Sequence, residues 1–222
     1  MIDLHVEVYG TANAGPAVVL SHGMAEDMAT WTGVAQALCE SRRVVLWDLP
    51  GHGQSAELAD PSGYTARLAY ERLCEVIETH GGERLVIGGH SLGGYLSCRY
   101  AIEHPETVAG LILVSTGPGF RDDAARERWN DDVRATVERT SRPSSFLALH
   151  EDAFVISHVA ELTMPVLVLV GANDKPFLAA TDYFERKLPA VERHTIDGAG
   201  HSVIRTNTGQ VAALISAFLQ RV

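Results

Sequence analysis

The run Leu85-Val86-Ile87-Gly88-Gly89-His90-Ser91-Leu92-Gly93-Gly94 constrains what this chain can fold into more than any other stretch. Its apolar start is too short and too β-branched for a core helix, so Leu85-Val86-Ile87 reads as a strand buried on both faces of a parallel sheet. From Tyr95 to Glu103 the residues favour helix, and His104-Pro105 closes it. Between the two, Gly89-His90-Ser91-Leu92-Gly93 fits G-x-S-x-G in a strand-turn-helix setting, the pattern of a nucleophile elbow. The glycines have a steric purpose: a Cβ at either flank would strike the adjoining strand or helix. Such a turn lifts the Ser91 hydroxyl out at the carboxyl edge of the sheet, where the amide of Leu92 points at negative charge created when Ser91 attacks a carbonyl. A Gly-rich pentapeptide also arises by chance in loops, so its weight depends on what the rest of the chain brings to Ser91.

Val6 to Tyr9 alternates like a strand with one wet face, followed by a turn from Gly10 to Pro16. Ala17-Val18-Val19-Leu20 is a fully buried strand ending in Ser21-His22-Gly23-Met24. That loop either brings the Met24 amide beside the elbow as a second oxyanion donor or is a plain strand-to-helix turn. A short amphipathic helix spans Trp31 to Glu40, and a strand Arg43 to Trp47 leads into Asp48-Leu49-Pro50-Gly51-His52-Gly53-Gln54-Ser55. Asp48 and His52 invite a catalytic reading, but Pro and paired Gly build a tight loop that Asp48 is better suited to tie down through backbone amides. Thr65 to His80 repeats apolar residues at helical spacing through Ala69, Leu73, Val76 and Ile77, and Gly81-Gly82 ends it. Leu111 to Ser115 is another buried strand, followed by Gly117-Pro118-Gly119. Short β-branched runs alternating with helical runs predict an α/β fold: a doubly wound, mostly parallel sheet of seven or eight strands in a single domain over residues 1–222.

Periodicity then breaks. Residues Arg121 to Leu162 hold charged helical material around Arg121 to Trp129, the breaker Arg142-Pro143-Ser144-Ser145 and an apolar piece with Phe146, Leu147, Leu149, Phe154, Val155 and Ile156. They predict a short helical lid at about 120–162 over the carboxyl edge of the sheet, its apolar side toward Ser91. His150 and His158 within it read as packing or surface residues, since no carboxylate or Cys spacing accompanies them. Pro165 to Val170 resumes the sheet, and Asp174 stands just past its end. Phe177 to Leu188 is helical and Arg193 to Ile196 the last strand; the loop Asp197-Gly198-Ala199-Gly200-His201 presents His201 at the edge again. A final helix starts at Asn207, whose side chain can cap it with Gln210, and carries the stripe Val211, Leu214, Ile215, Phe218, Leu219.

Ser91, Asp174 and His201 thus stand at successive strand ends, in the chain order serine, acid, histidine that distinguishes one class of serine hydrolase from others. The His22-Gly23 loop, the Asp48 to Ser55 loop, Gly89 to Gly94, the Gly171 to Asp174 turn and Gly198 to His201 come in register over nearly the whole chain. Through these segments the sequence resembles the α/β-hydrolase superfamily, in particular its serine esterase and lactonase branch. The resemblance implies Ser91 as nucleophile, His201 as base, Asp174 as orienting acid, and the Met24 and Leu92 amides as oxyanion hole. Each role is sound chemistry: a serine hydroxyl needs a base that titrates near neutrality, and a carboxylate fixes that base's tautomer. Members commonly have a strand before the one at Val6 and a longer lid, so a missing first strand and a more open site are expected here.

Hydrophobic residues at 46% and a net charge of −10 fit a globular chain with no affinity for nucleic acid or anionic membranes. Cys39, Cys74 and Cys98 show no metal or disulfide spacing. The start of the chain lacks the basic end and apolar core of a signal peptide, so a cytoplasmic location is the default. No cofactor and no metal are expected, and the oligomeric state is open. The expected reaction is hydrolysis of a small to medium carboxylic ester, thioester or lactone through an acyl-enzyme on Ser91, the partner being a small ester-like molecule. Tyr95 occupies the place after the elbow where an arginine would hold a carboxylate, and with Phe146 and Phe154 it is the expected substrate contact. The alternatives are a lyase or synthase using His201 for proton transfer, and a ligand receptor with a vestigial triad.

Overall fold

Strand side chains divide strictly between the two faces of one sheet, and that division builds the fold. The computed structural model describes residues 3–11 and 15–222. Among them β1 (Val6–Tyr9), β2 (Ala17–Ser21), β3 (Val44–Trp47), β4 (Leu85–His90), β5 (Val108–Val114), β6 (Val166–Gly171) and β7 (Val191–Ile196) form a 7-stranded sheet in the order β1-β3-β2-β4-β5-β6-β7. All neighbours run parallel except β1, which pairs antiparallel with β3 along one edge. Residues 12–14 of the turn expected from Gly10 to Pro16, and the first two residues read for a signal, lie outside the described residues.

Because successive residues of a strand point to opposite faces, each buried parallel strand must be apolar throughout. Leu85 and Ile87, Leu111 and Leu113, and Val166 and Val168 enter one core, whereas Val86, Ile112, Val114, Leu167 and Leu169 enter the other. The first core is closed by α2 (Ala66–His80), α3 (Leu92–Glu103) and α6 (Lys175–Lys187). The second is closed by α1 (Ala29–Leu38) and α8 (Thr208–Leu219), with Trp31, Val34, Val211 and Ile215 all fully buried. Between β5 and β6 no strand occurs: α4 (Asp123–Thr140), a 3-10 segment over Pro143–Ala148 and α5 (Phe154–His158) occupy the stretch.

Two α-helices begin with a capping side chain. Thr65 and Asp122 cap α2 and α4 by accepting from the amides of Leu68 and Ala125. Asn207 precedes α8 as expected but makes no capping bond. A one-turn helix, α7 (Val203–Thr206), ends immediately before it, and the Asn207 Oδ1 accepts from the Thr206 hydroxyl instead. No helix among the described residues is long and apolar enough to cross a membrane.

Candidate active site

The turn after β4 is as tight as its glycines imply. A Cβ on Gly89 would lie 2.2 Å from the Gly93 carbonyl carbon, and one on Gly93 would lie 2.3 Å from the Ser21 carbonyl oxygen. Only glycine lets β2, β4 and α3 meet so closely. Ser91 itself sits at φ 50°, ψ −112°, a strained conformation for a residue with a side chain. The surroundings hold it there: its amide donates to Val114 O at 2.9 Å, and the Thr116 hydroxyl donates to its carbonyl at 2.6 Å.

The loop after β2 lies directly against this turn, since a Cβ on Gly23 would come 3.3 Å from the Ser91 Cβ. His22, fully buried, fastens the loop at both ring nitrogens: Nε2 accepts from the Leu49 amide at 2.9 Å, so Nδ1 carries the proton donated to Gly23 O at 2.7 Å. Burial, with the neighbouring His52, pushes His22 down to about 4, which keeps this tautomer neutral. The amides of Met24 and Leu92 donate to no protein acceptor among the described residues, and both residues line one cavity with Ser91.

Asp174 and His201 meet on the same edge. The loops after β6 and β7 are laced together by Asn173 N to Ala199 O at 2.8 Å and Ala172 N to Ile196 O at 2.9 Å. Asp174 is 4% exposed, makes no cap bond to α6, and accepts from His201 Nδ1 at 3.0 Å. The His201 ring stacks on Phe177 at 4.7 Å and lies 4.7 Å from the ring of His90. No hydrogen bond joins the Ser91 hydroxyl to the His201 ring among the described residues.

His90, invisible as a functional residue in the sequence, ties these parts together. Its Nε2 is 2.8 Å from His201 O and its Nδ1 is 2.8 Å from Glu26 Oε2. A carbonyl only accepts, so Nε2 bears a proton. Burial pushes the Glu26 carboxyl up, but the hydrogen bond and charge of His90, with the Gly23 amide, outweigh it and hold the group below its ordinary range. The His90 Nδ1 faces that carboxylate at 2.8 Å. The same Oε2 accepts from Gly23 N at 3.0 Å, so one oxygen anchors the loop after β2 and, through His90, the loop of His201.

The cavity measures about 230 Å³ and its wall is mostly apolar, with Phe120, Trp129, Ala148 and His150 from the β5–β6 segment facing Pro176 and Phe177. Tyr95 lines it. Phe146 and Phe154 do not: both pack against the core beneath, and Phe154 lies under the Arg99 guanidinium. His150, expected to be a packing or surface residue, is in the wall. Asp48 is structural, as expected, accepting from the amides of Met28 at 2.7 Å and Gln54 at 2.9 Å and from His5. Among the described residues no group of His, Cys, Asp and Glu is placed to hold a metal ion.

A family model described as the alpha/beta hydrolase fold matches residues 16–147. The chain belongs to that family. This α/β-hydrolase is 28% identical, over 247 aligned positions covering 90% of it and 91% of the relative, to a pimeloyl-[acyl-carrier protein] methyl ester esterase of Vibrio vulnificus. It is 24% identical to a putative 2-succinyl-6-hydroxy-2,4-cyclohexadiene-1-carboxylate synthase of Bacillus subtilis, covering 95% of this chain and 94% of that one. Among solved structures it resembles a thermophilic esterase of Thermogutta terrifontis with a TM-score of 0.78 at 23% identity, covering 99% of this chain and 94% of that one.

Proposed function

We propose that this α/β-hydrolase cleaves small to medium carboxylic esters, thioesters or lactones through an acyl-enzyme on Ser91. His201 takes the hydroxyl proton as Ser91 attacks, Asp174 holds the imidazole in the tautomer with Nδ1–H and stabilises the imidazolium, and the Met24 and Leu92 amides receive the developing oxyanion. Each such donor is worth roughly 3–4 kcal/mol of transition-state stabilisation. Water activated by His201 then releases the acid. The segment at about 120–162 serves as a short lid, and Tyr95 contacts substrate. Cys39, Cys74 and Cys98, all free thiols, suit a reducing compartment such as the cytoplasm.

One observation carries the reading: the strained Ser91 and two unpaired amides open into a single apolar cavity whose wall contains no Lys, Arg, Asp or Glu. Such a wall suits a neutral acyl group and disfavours a multiply charged substrate. Similarity to a synthase on the same scaffold favours a second reading, in which His201 transfers protons without an acyl-enzyme. A chromogenic ester panel of graded acyl length, run on the wild type and Ser91→Ala, separates them. Release that depends on Ser91, with an acylated Ser91 trapped during turnover, supports hydrolysis; release unchanged in Ser91→Ala, or none with any ester, rejects it.

A further inference from the structure

His150 is the cavity's unexplained polar group. It is 9% exposed, and its Nδ1 is buried with no hydrogen-bond partner. Nε2 makes no hydrogen bond among the described residues and is not sealed off as Nδ1 is, so it is the ring nitrogen a molecule in the cavity can reach. A buried imidazole without a partner is costly, and the great majority of such groups are satisfied. Its backbone is fixed on purpose: buried Asn130 donates from Nδ2 to His150 O at 3.0 Å and accepts from His150 N at 2.9 Å, pinning the residue between α4 and the lining of the cavity. Tyr95, Phe120 and Trp129 stand roughly edge-on around the ring at 4.3, 5.4 and 5.7 Å. Those aromatic contacts orient the ring but supply no acceptor or donor in its plane.

We propose that His150 is the polar anchor of the substrate cavity, hydrogen-bonding an uncharged oxygen, hydroxyl or carbonyl, that the substrate carries beyond its reacting ester group. The inference rests on the ester-hydrolase reading of the same cavity and names the class of ester that fits it. Neutrality follows from the surroundings. Burial pushes the imidazole down to about 4 against the charge of Asp152, and Arg126 adds to the lowering, so at neutral pH the ring offers one N–H and one lone pair. It can therefore donate to a carbonyl or exchange with a hydroxyl, whereas a substrate carboxylate would meet no cation in the wall. A purely hydrocarbon substrate would leave the imidazole unsatisfied when it displaces water, and that penalty selects against it.

The test compares matched esters that differ by one oxygen: p-nitrophenyl butanoate against β-hydroxybutanoate, pentanoate against levulinate, and propyl butanoate against hydroxypropyl butanoate. The wild type is expected to prefer at least one oxygenated member by about tenfold in kcat/KM, the scale of one buried hydrogen bond. In His150→Leu that ratio falls to about one, and His150→Gln, which keeps a donor and an acceptor, restores part of it. Should His150→Leu fail to fold, His150→Phe against His150→Gln gives the same comparison. No preference in any pair, or a preference unchanged in His150→Leu and His150→Phe, overturns the proposal. Affinities of the same esters for Ser91→Ala, followed by NMR titration, separate the two readings. A His150-dependent affinity ratio without turnover by the wild type leaves the anchor standing and removes the hydrolase, while turnover without that ratio does the reverse.

Discussion

His90 donates from Nε2 to the main-chain carbonyl of His201, 2.8 Å away, so the residue before the strained serine holds the loop that carries His201. Its other nitrogen is paired with Glu26, whose Oε2 also receives the Gly23 amide. Glu26→Gln removes the charge and leaves one acceptor oxygen where the carboxylate has two. Glu26→Gln is expected to lower kcat about tenfold with KM little changed, because the loops carrying Gly23 and His201 lose a shared anchor. Steady-state kinetics measures this. A fall in thermal stability alone, with kcat unmoved, would mean the pair only supports the fold.

The contact between the loop after β2 and Ser91 leaves no room for a methyl group. In Gly23→Ala the added Cβ would meet His90 Nδ1 at 2.9 Å and the Ser91 Cβ at 3.3 Å, and it must displace one of them. A displacement of about 1 Å costs about 100-fold in rate, and a loss of up to that size is expected. Initial rates on a protein whose far-ultraviolet circular dichroism is unchanged check the expectation.

Asp174→Asn keeps the size of the group that faces His201 Nδ1 at 3.0 Å but lets an amide N–H take the carboxylate's place. The imidazole then adopts the other tautomer, with its proton directed at the serine. A loss of about 10⁴-fold in kcat is expected, with folding intact, and kinetics with thermal unfolding on the same sample measure it.

Two buried histidines make stability depend on pH. His22 and His150 lie near 4 in the folded chain against 6.5 when exposed, so between those values the unfolded chain binds a proton at each and the folded chain does not. Stability is full above 6.5 and falls with pH toward 4, by about 1.4 kcal/mol per pH unit for each histidine. Urea unfolding across that window should show the slope, and His150→Leu should remove about half of it. A flat profile would contradict the neutral, buried state of both rings.

What the sequence revealed and what it hid divide by range. The Gly89 to Gly93 turn was legible because its demands are local: a strand, a helix and no room for Cβ atoms between them. Asp48 was legible for the same reason, its amide partner Gln54 lying in the same tight loop. The Glu26–His90 pair spans 64 residues and follows no spacing rule, so His90 stood in the motif as an unconstrained position. A histidine bordering the elbow with an acid shortly after the His22-Gly23 loop is the only signal that pointed to it. In the segment after β5 the short 3-10 turns erase helical periodicity, which is why Phe146 and Phe154 were expected in the cavity and His150 was not. At Asn207 a four-residue helix without its own apolar repeat altered the backbone that a local capping rule assumes.

The proposed reaction turns on one activated hydroxyl. Intact and peptide mass spectrometry after exposure to a fluorophosphonate tests it most directly, because the reagent modifies only a serine made nucleophilic by its neighbours. One adduct per chain on the peptide carrying Ser91 is predicted, absent in Ser91→Ala and formed about 1,000-fold more slowly in His201→Ala. No adduct on the wild type, or an adduct that persists in Ser91→Ala, would contradict the account.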